Sequence, residues 1–374
     1  MNRLCILTAI LAFLSLCTPS SSSYASYQSP VKAAYWPSYS ADSHPASSIN
    51  SALFTHLFYA FADLNSSTYQ VQPPSYDDGS LIGGFSSAVR KTNKKVKTLI
   101  SIGGGSSDWR TFSAMASGPP SRQSFIDSSI ALARKYNFDG LDLDWEFPQS
   151  STDMANLGTL FSEWRSRANK ESAQSGLPPL LLTAAVYYAS ALKVGNGPAY
   201  PINYIAKNLN WVNIMAFDYH GGWEPNKTGE HTALYDPNSN ISTNFGVGSW
   251  LKGGLPSNQA VLGLAMYGRS WILKNTSDTG IGAAAVGAGI DDGTPFYYQI
   301  VDLINSTNAT VVYDETSASV FTYSDTMWIG FDDPRSISTK VAFLKNRGLL
   351  GYFFWTASFD YKWSLATAAS QALT

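Results

Sequence analysis

The chain has 374 residues, a formal charge of −2 and 44% hydrophobic residues, enough apolar material to fill one large core. That composition excludes disorder as the default, and 25 basic against 27 acidic residues leave no basic surface to attract nucleic acid. Aromatic residues reach 14%, a supply that serves cores and ligand-stacking faces alike.

The first element is a leader. Met1, Asn2 and Arg3 precede an apolar run from Leu4 to Cys17, and a Ser-rich stretch then sets Ser23 and Ala25 at the −3 and −1 positions of a cleavage site. The apolar run is 14 residues long, short of the roughly 20 that span a bilayer, so residues 1–25 read as a secretory signal peptide. The mature chain is then expected outside the cell or in the vacuole, with no membrane attachment. Cys5 and Cys17 both lie in the leader, so no disulfide or thiolate metal site is expected afterwards. Glycosylation sequons follow at Asn65, Asn226, Asn240, Asn275, Asn305 and Asn308.

Eight short apolar runs come next, with amphipathic segments between several of them. They are Val31 to Trp36, His56 to Ala60, Val96 to Ile102, Phe138 to Leu143, Leu180 to Val186, Trp211 to Phe217, Val261 to Met266 and Gly351 to Trp355. Alternating strands and helices predict an α/β fold with a parallel sheet, and eight strands can close into a TIM (β/α)8 barrel spanning 26–374. Helices are predicted over Ser121–Tyr136, Asp153–Ala173 and Ser336–Arg347, the last stopped by Gly348. Between the seventh strand and that last helix, the strand-like pieces Thr310–Tyr313 and Ser319–Thr326 predict a small α+β insertion over 271–327.

The segment Asp139-Gly140-Leu141-Asp142-Leu143-Asp144-Trp145-Glu146 carries the chemistry. Strand side chains alternate, so Asp142, Asp144 and Glu146 share the face that points into the barrel, at the end where barrel active sites lie. Asp139 has the other parity and a structural part at the strand start. Three close carboxylates cannot all ionise freely, so they share protons and at least one pKa rises. Glu146, nearest the mouth, is the natural proton donor, with Asp144 beside it and Asp142 behind. A divalent metal is the rival use of such carboxylates, but no second acidic cluster ends a neighbouring strand, and Asp63 and Asp218 each stand alone. Glycines 103 to 105 lack the spacing and the Lys of a phosphate loop, and a lone His220 before two glycines reads as a loop at the mouth.

These residues resemble the D-x-x-D-x-D-x-E signature of family 18 glycoside hydrolases, and the mature chain resembles the plant class V chitinases within that family. Ser101-Ile102-Gly103-Gly104 resembles the family's S-x-G-G, Met215-Ala216-Phe217-Asp218 its M-x-Y-D, and Tyr267-Gly268-Arg269 its Y-G-R. The resemblance implies an endo-chitinase that cuts chitin or other N-acetylglucosamine oligosaccharides, including lipid-bearing signals, by a retaining, substrate-assisted route with no cofactor. Glu146 would protonate the leaving oxygen while the sugar's own 2-acetamido carbonyl attacks, and Asp144 would orient the acetamide N–H. Trp355 would floor the central sugar site, with Tyr35, Phe61, Met215, Tyr267 and Arg269 lining the cleft. Asp218 would bind a sugar hydroxyl or pair with Arg269.

One position departs from that pattern. Phe217 replaces the Tyr whose hydroxyl is expected on the acetamido carbonyl, and a donor lost at developing charge costs roughly tenfold to a thousandfold in rate. Tyr219 shares the parity of Phe217 without simply replacing it, and Tyr267 is a candidate substitute. Two other functions stay open: a chitinase-like lectin or inhibitor without turnover, and an endoglycosidase on N-glycan cores. A monomer is the default expectation.

Overall fold

The computed structural model describes residues 29–374. The leader, its cleavage site, Cys5 and Cys17 lie outside the described residues. Eight parallel strands form the barrel, at Val31–Pro37, His56–Leu64, Lys97–Gly103, Gly140–Asp144, Leu181–Tyr187, Trp211–Met215, Ala260–Ala265 and Gly351–Trp355. Each pairs with its sequence neighbour among the eight, and the first closes the ring by pairing with both the second and the eighth. Closure leaves these strands no free edge.

Side-chain alternation divides the barrel core in two. Leu141, Leu143 and Trp145 join Trp36, Ile100 and Trp164 in the layer between strands and helices. Tyr35, Phe58, Leu99, Trp211, Val261 and Phe353 fill the lumen, where Tyr35 stacks on Phe58 with centroids 4.5 Å apart. Burying each such side chain contributes about 1.5 to 3 kcal/mol.

Helix ends lie close to their sequence signals. The longest helix, Ser151–Ser175, starts on a capping box between Ser150 and Asp153 and stops at Gly176 in the left-handed conformation. Pro119 and Pro334 occupy first-turn positions in Pro119–Lys135 and Pro334–Asn346, where a missing N–H costs nothing. Both helices therefore begin two residues before the expected starts at Ser121 and Ser336.

The insertion is a five-stranded antiparallel sheet in the order Ala285–Ala288, Arg269–Leu273, Met327–Phe331, Ser319–Ser324, Thr310–Asp314, with one helix, Tyr297–Thr307. It starts before Trp271 and ends after Met327, because Arg269 pairs in register with Gly330. Trp271 and Trp328 meet edge to face in its core, 5.5 Å between centroids. Since Arg269 opens the first strand of this sheet, the insertion forms one wall of the cleft. Among the described residues no helix is long and apolar enough to cross a membrane.

Candidate active site

Strand register explains why Asp142 is locked. Ser101, Asp142 and Thr183 stand side by side on three neighbouring strands, so their side chains share the lumen face. The Ser101 and Thr183 hydroxyls donate to the Asp142 carboxylate at 2.8 and 2.6 Å, and the Tyr35 hydroxyl reaches it across the lumen at 2.9 Å. Tyr35 in turn accepts from Asn213 Nδ2 at 2.8 Å. Burial pushes the Asp142 carboxyl up, and the three hydroxyls pull against it. Asp139, at the strand start, is held by Arg90 at 2.6 Å and Lys97 at 2.9 Å, a structural anchor.

Asp144 differs from Asp142 in what it lacks. It is almost fully buried, yet its Oδ1 has no hydrogen-bond partner, and it lines a cavity of about 1060 Å³. Burial holds its carboxyl well above the usual range, and the Glu146 and Asp142 charges add to the effect. Glu146 lines the same cavity, and burial pushes it up to about 7, with a further push from Asp218. Asp218 therefore does not stand alone: its charge acts on Glu146.

Glycines make room for this pair. A Cβ at Gly103, whose φ is +114°, would sit 2.2 Å from the Asp144 carbonyl oxygen, and one at Gly105 would sit 3.3 Å from Glu146 Oε1. The Gly104 N–H donates to that same Asp144 carbonyl at 2.8 Å. Close backbone approach, not phosphate binding, is the use of the glycine run.

Tyr35, Phe61, Met215, Asp218, Tyr267, Arg269 and Trp355 all line the cavity, and Phe217 does too. Trp355 stacks on Phe61 at 5.6 Å between centroids, leaving it half-buried with a face toward the cavity. Asp218 pairs with Arg269, whose Nε and Nη2 donate at 2.8 and 2.7 Å. Burial pushes Asp218 up, but the neighbouring His231 side chain and the Arg269 charge outweigh it and hold the carboxyl below its ordinary value. Tyr219 shares the cavity wall, with its hydroxyl at 3.0 Å from the Thr243 hydroxyl. His220 instead contacts Glu224, its Nδ1 2.6 Å from a carboxylate oxygen.

Several lining residues escape sequence reasoning, among them Asp63, Asp108, Tyr187 and Tyr39. Tyr187 carried a usable signal, as the last residue of the fifth strand in register with Met215. The others stand at a strand's extension or on loops whose approach to the cleft no local pattern reveals. Among the described residues no group of three or more His, Cys, Asp or Glu side chains is arranged to hold a metal ion.

Residues 31–360 match the family described as glycosyl hydrolases family 18. A class V chitinase of Arabidopsis thaliana is 48% identical over 348 residues, covering 92% of this chain and 90% of its own. The crystal structure of a family 18 chitinase from Cycas revoluta in complex with (GlcNAc)3 superposes with a TM-score of 0.89 at 43% identity, covering 92% of this chain and all of that one. A chitinase-like agglutinin from Robinia pseudoacacia is also similar, with a TM-score of 0.86, 40% identity, and 92% and 100% of the two chains covered. The barrel agrees with these likenesses, and the chain belongs to glycosyl hydrolases family 18, among the plant class V chitinases.

Proposed function

We propose that the protein is a secreted endo-chitinase that hydrolyses β-1,4 bonds between N-acetylglucosamine units with retention of configuration. The observation that carries this reading is the contrast between Asp142 and Asp144. The first is saturated by three hydroxyls, while the second keeps a buried, unpartnered oxygen at the cavity wall beside a carboxyl poised near neutral pH.

The chemistry follows from that contrast. Glu146, protonated up to about pH 7, gives its proton to the glycosidic oxygen, and the C1–O bond breaks. The 2-acetamido carbonyl oxygen bonds to C1 and forms an oxazolinium ion, so no protein nucleophile is needed. The free oxygen of Asp144 accepts the acetamide N–H and so orients the carbonyl for attack. Water, deprotonated by Glu146, then attacks C1 from the side that the leaving group vacated, the bond from C1 to the acetamido oxygen breaks, and the acetamide is restored. Trp355 offers an aromatic face to the sugar ring.

The Cycas chitinase was crystallised with (GlcNAc)3, which supports the same substrate class here. A lectin without turnover is the second reading, favoured by Phe217 and by the likeness to the Robinia agglutinin. Product analysis by mass spectrometry after incubation with N-acetylglucosamine hexamer tests the choice. Shorter oligomers from wild type and none from Glu146→Gln support the hydrolase. Binding without cleavage by wild type, with turnover gained in Phe217→Tyr, supports the lectin.

A further inference from the structure

His231 belongs to no motif of the sequence, yet it touches the site. Its side chain is fully buried, and Nε2 lies 3.1 Å from the Tyr267 carbonyl oxygen. A carbonyl only accepts, so Nε2 carries a proton and the tautomer is fixed. That bond aims Nδ1 at Asp218: Oδ1 is 3.8 Å away, and Nδ1 has no hydrogen-bond partner. A neutral ring therefore sets a lone pair against a carboxylate, whereas a protonated ring donates to both acceptors.

The surroundings pull in both directions. Burial disfavours the charged ring, Asp218 favours it, Arg269 opposes it, and Asp332, itself paired to Lys340, favours it. The Tyr267 ring packs against the imidazole with centroids 5.1 Å apart. The net effect holds His231 below its ordinary pKa, so it gains a proton only on the acid side.

We propose that His231 is a positioning residue for the proton donor: on taking a proton at Nδ1 it binds the Asp218 carboxylate and draws that negative charge away from Glu146. The proposal rests on the reading of Glu146 as general acid. A Glu146 that has released its proton is a carboxylate facing Asp218, and a second cation on Asp218 lowers the cost of that charge. Glu146 thus becomes the stronger acid as the medium turns acidic. The coupling is reciprocal, so ionisation of Glu146 also strengthens the hold of His231 on its proton.

His231→Asn sets a non-titrating amide near the position of Nδ1, and His231→Gln keeps only a donor near that of Nε2. The test is kcat against pH on N-acetylglucosamine hexamer for wild type and both variants, beside the 15N shifts of the imidazoles in the intact protein, which has four histidines to assign. In both variants, kcat at about pH 5 relative to about pH 7 is expected to fall roughly threefold to tenfold. The wild-type His231 titration is expected to move about one pH unit lower in Asp218→Asn. A loss uniform in pH, or a titration that ignores Asp218→Asn, overturns the proposal. Should wild type leave the hexamer uncut, the hydrolase reading fails, and the imidazole titration still decides the contact.

Discussion

The Phe217 ring meets the Tyr267 ring edge to face, with 6.1 Å between centroids and 73° between planes. Both line the cavity, and burial, followed by the Asp218 charge, holds the Tyr267 phenol well above its ordinary pKa. The Tyr219 hydroxyl is engaged with that of Thr243 and is not free to replace the one that Phe217 lacks.

Phe217→Tyr should therefore raise turnover. A donor restored at developing charge is worth roughly tenfold to a hundredfold in kcat. The gain should appear in kcat more than in KM, because the hydrogen bond strengthens as the acetamido oxygen attacks. Steady-state kinetics on the hexamer decide it. An unchanged kcat would mean that the site supplies the donor elsewhere.

The pH profile should carry the mark of Glu146. In the proposed mechanism its protonated form is the active one, and burial followed by the Asp218 charge sets the carboxyl at about 7. Above that pH, kcat/KM should fall about tenfold per unit. Asp218→Asn removes a like charge, so the alkaline limb should move to lower pH, and a limb that stays in place would sink the assignment. Glu146→Gln should cost about a hundredfold to ten-thousandfold in kcat while retaining oligomer binding by calorimetry.

Much of this site can be read from the sequence because alternation within a strand is local. The parity of Asp142, Asp144 and Glu146 needed no tertiary information, and neither did the anchoring role of Asp139 before Gly140. Strand limits were less legible. The sixth strand, expected to reach Phe217, ends at Met215, because Ala216 N–H turns back to the Ile214 carbonyl at 2.8 Å and Asp218 takes a φ of +60°. The second runs on past Ala60 to Leu64, because Asp63 and Leu64 pair with Gln72 and Val71. His231 gave no signal at all, since its place beside Asp218 arises from chain return and not from any period.

Glu230, next to His231 in sequence, should make stability depend on pH. It is 4% exposed, receives a hydrogen bond from the Ser319 hydroxyl, and leaves Oε1 without a partner. Burial pushes it up to about 8, against the Ser319 hydrogen bond and the Lys340 charge. An unfolded Glu ionises near about 4.3. Between these values the native state holds the extra proton, so stability falls as pH rises through that window. Glu230→Gln keeps the shape without the charge, and its advantage over wild type should grow from near zero at about pH 4 to about 2 to 4 kcal/mol at about pH 8. Urea denaturation at both ends of the window measures this, and a constant difference between the proteins contradicts it.

The Lys340–Asp332 pair ties the end of the insertion to the helix that precedes the eighth strand. Both side chains are almost completely buried, with Lys340 Nζ at 2.6 and 2.7 Å from the two carboxylate oxygens, and the Ser336 hydroxyl donates to the same carboxylate at 2.6 Å. Lys340→Met leaves a buried carboxylate without its cation and should cost about 3 to 5 kcal/mol, while Asp332→Asn combined with Lys340→Met should recover much of that loss. The reason is an asymmetry: desolvating two charges consumes most of what their attraction returns, so removing both loses little, and removing one loses much. Denaturant unfolding of the two single variants and the double variant gives the coupling energy. Additive losses would mean that the pair is held by its surroundings and not by its own attraction.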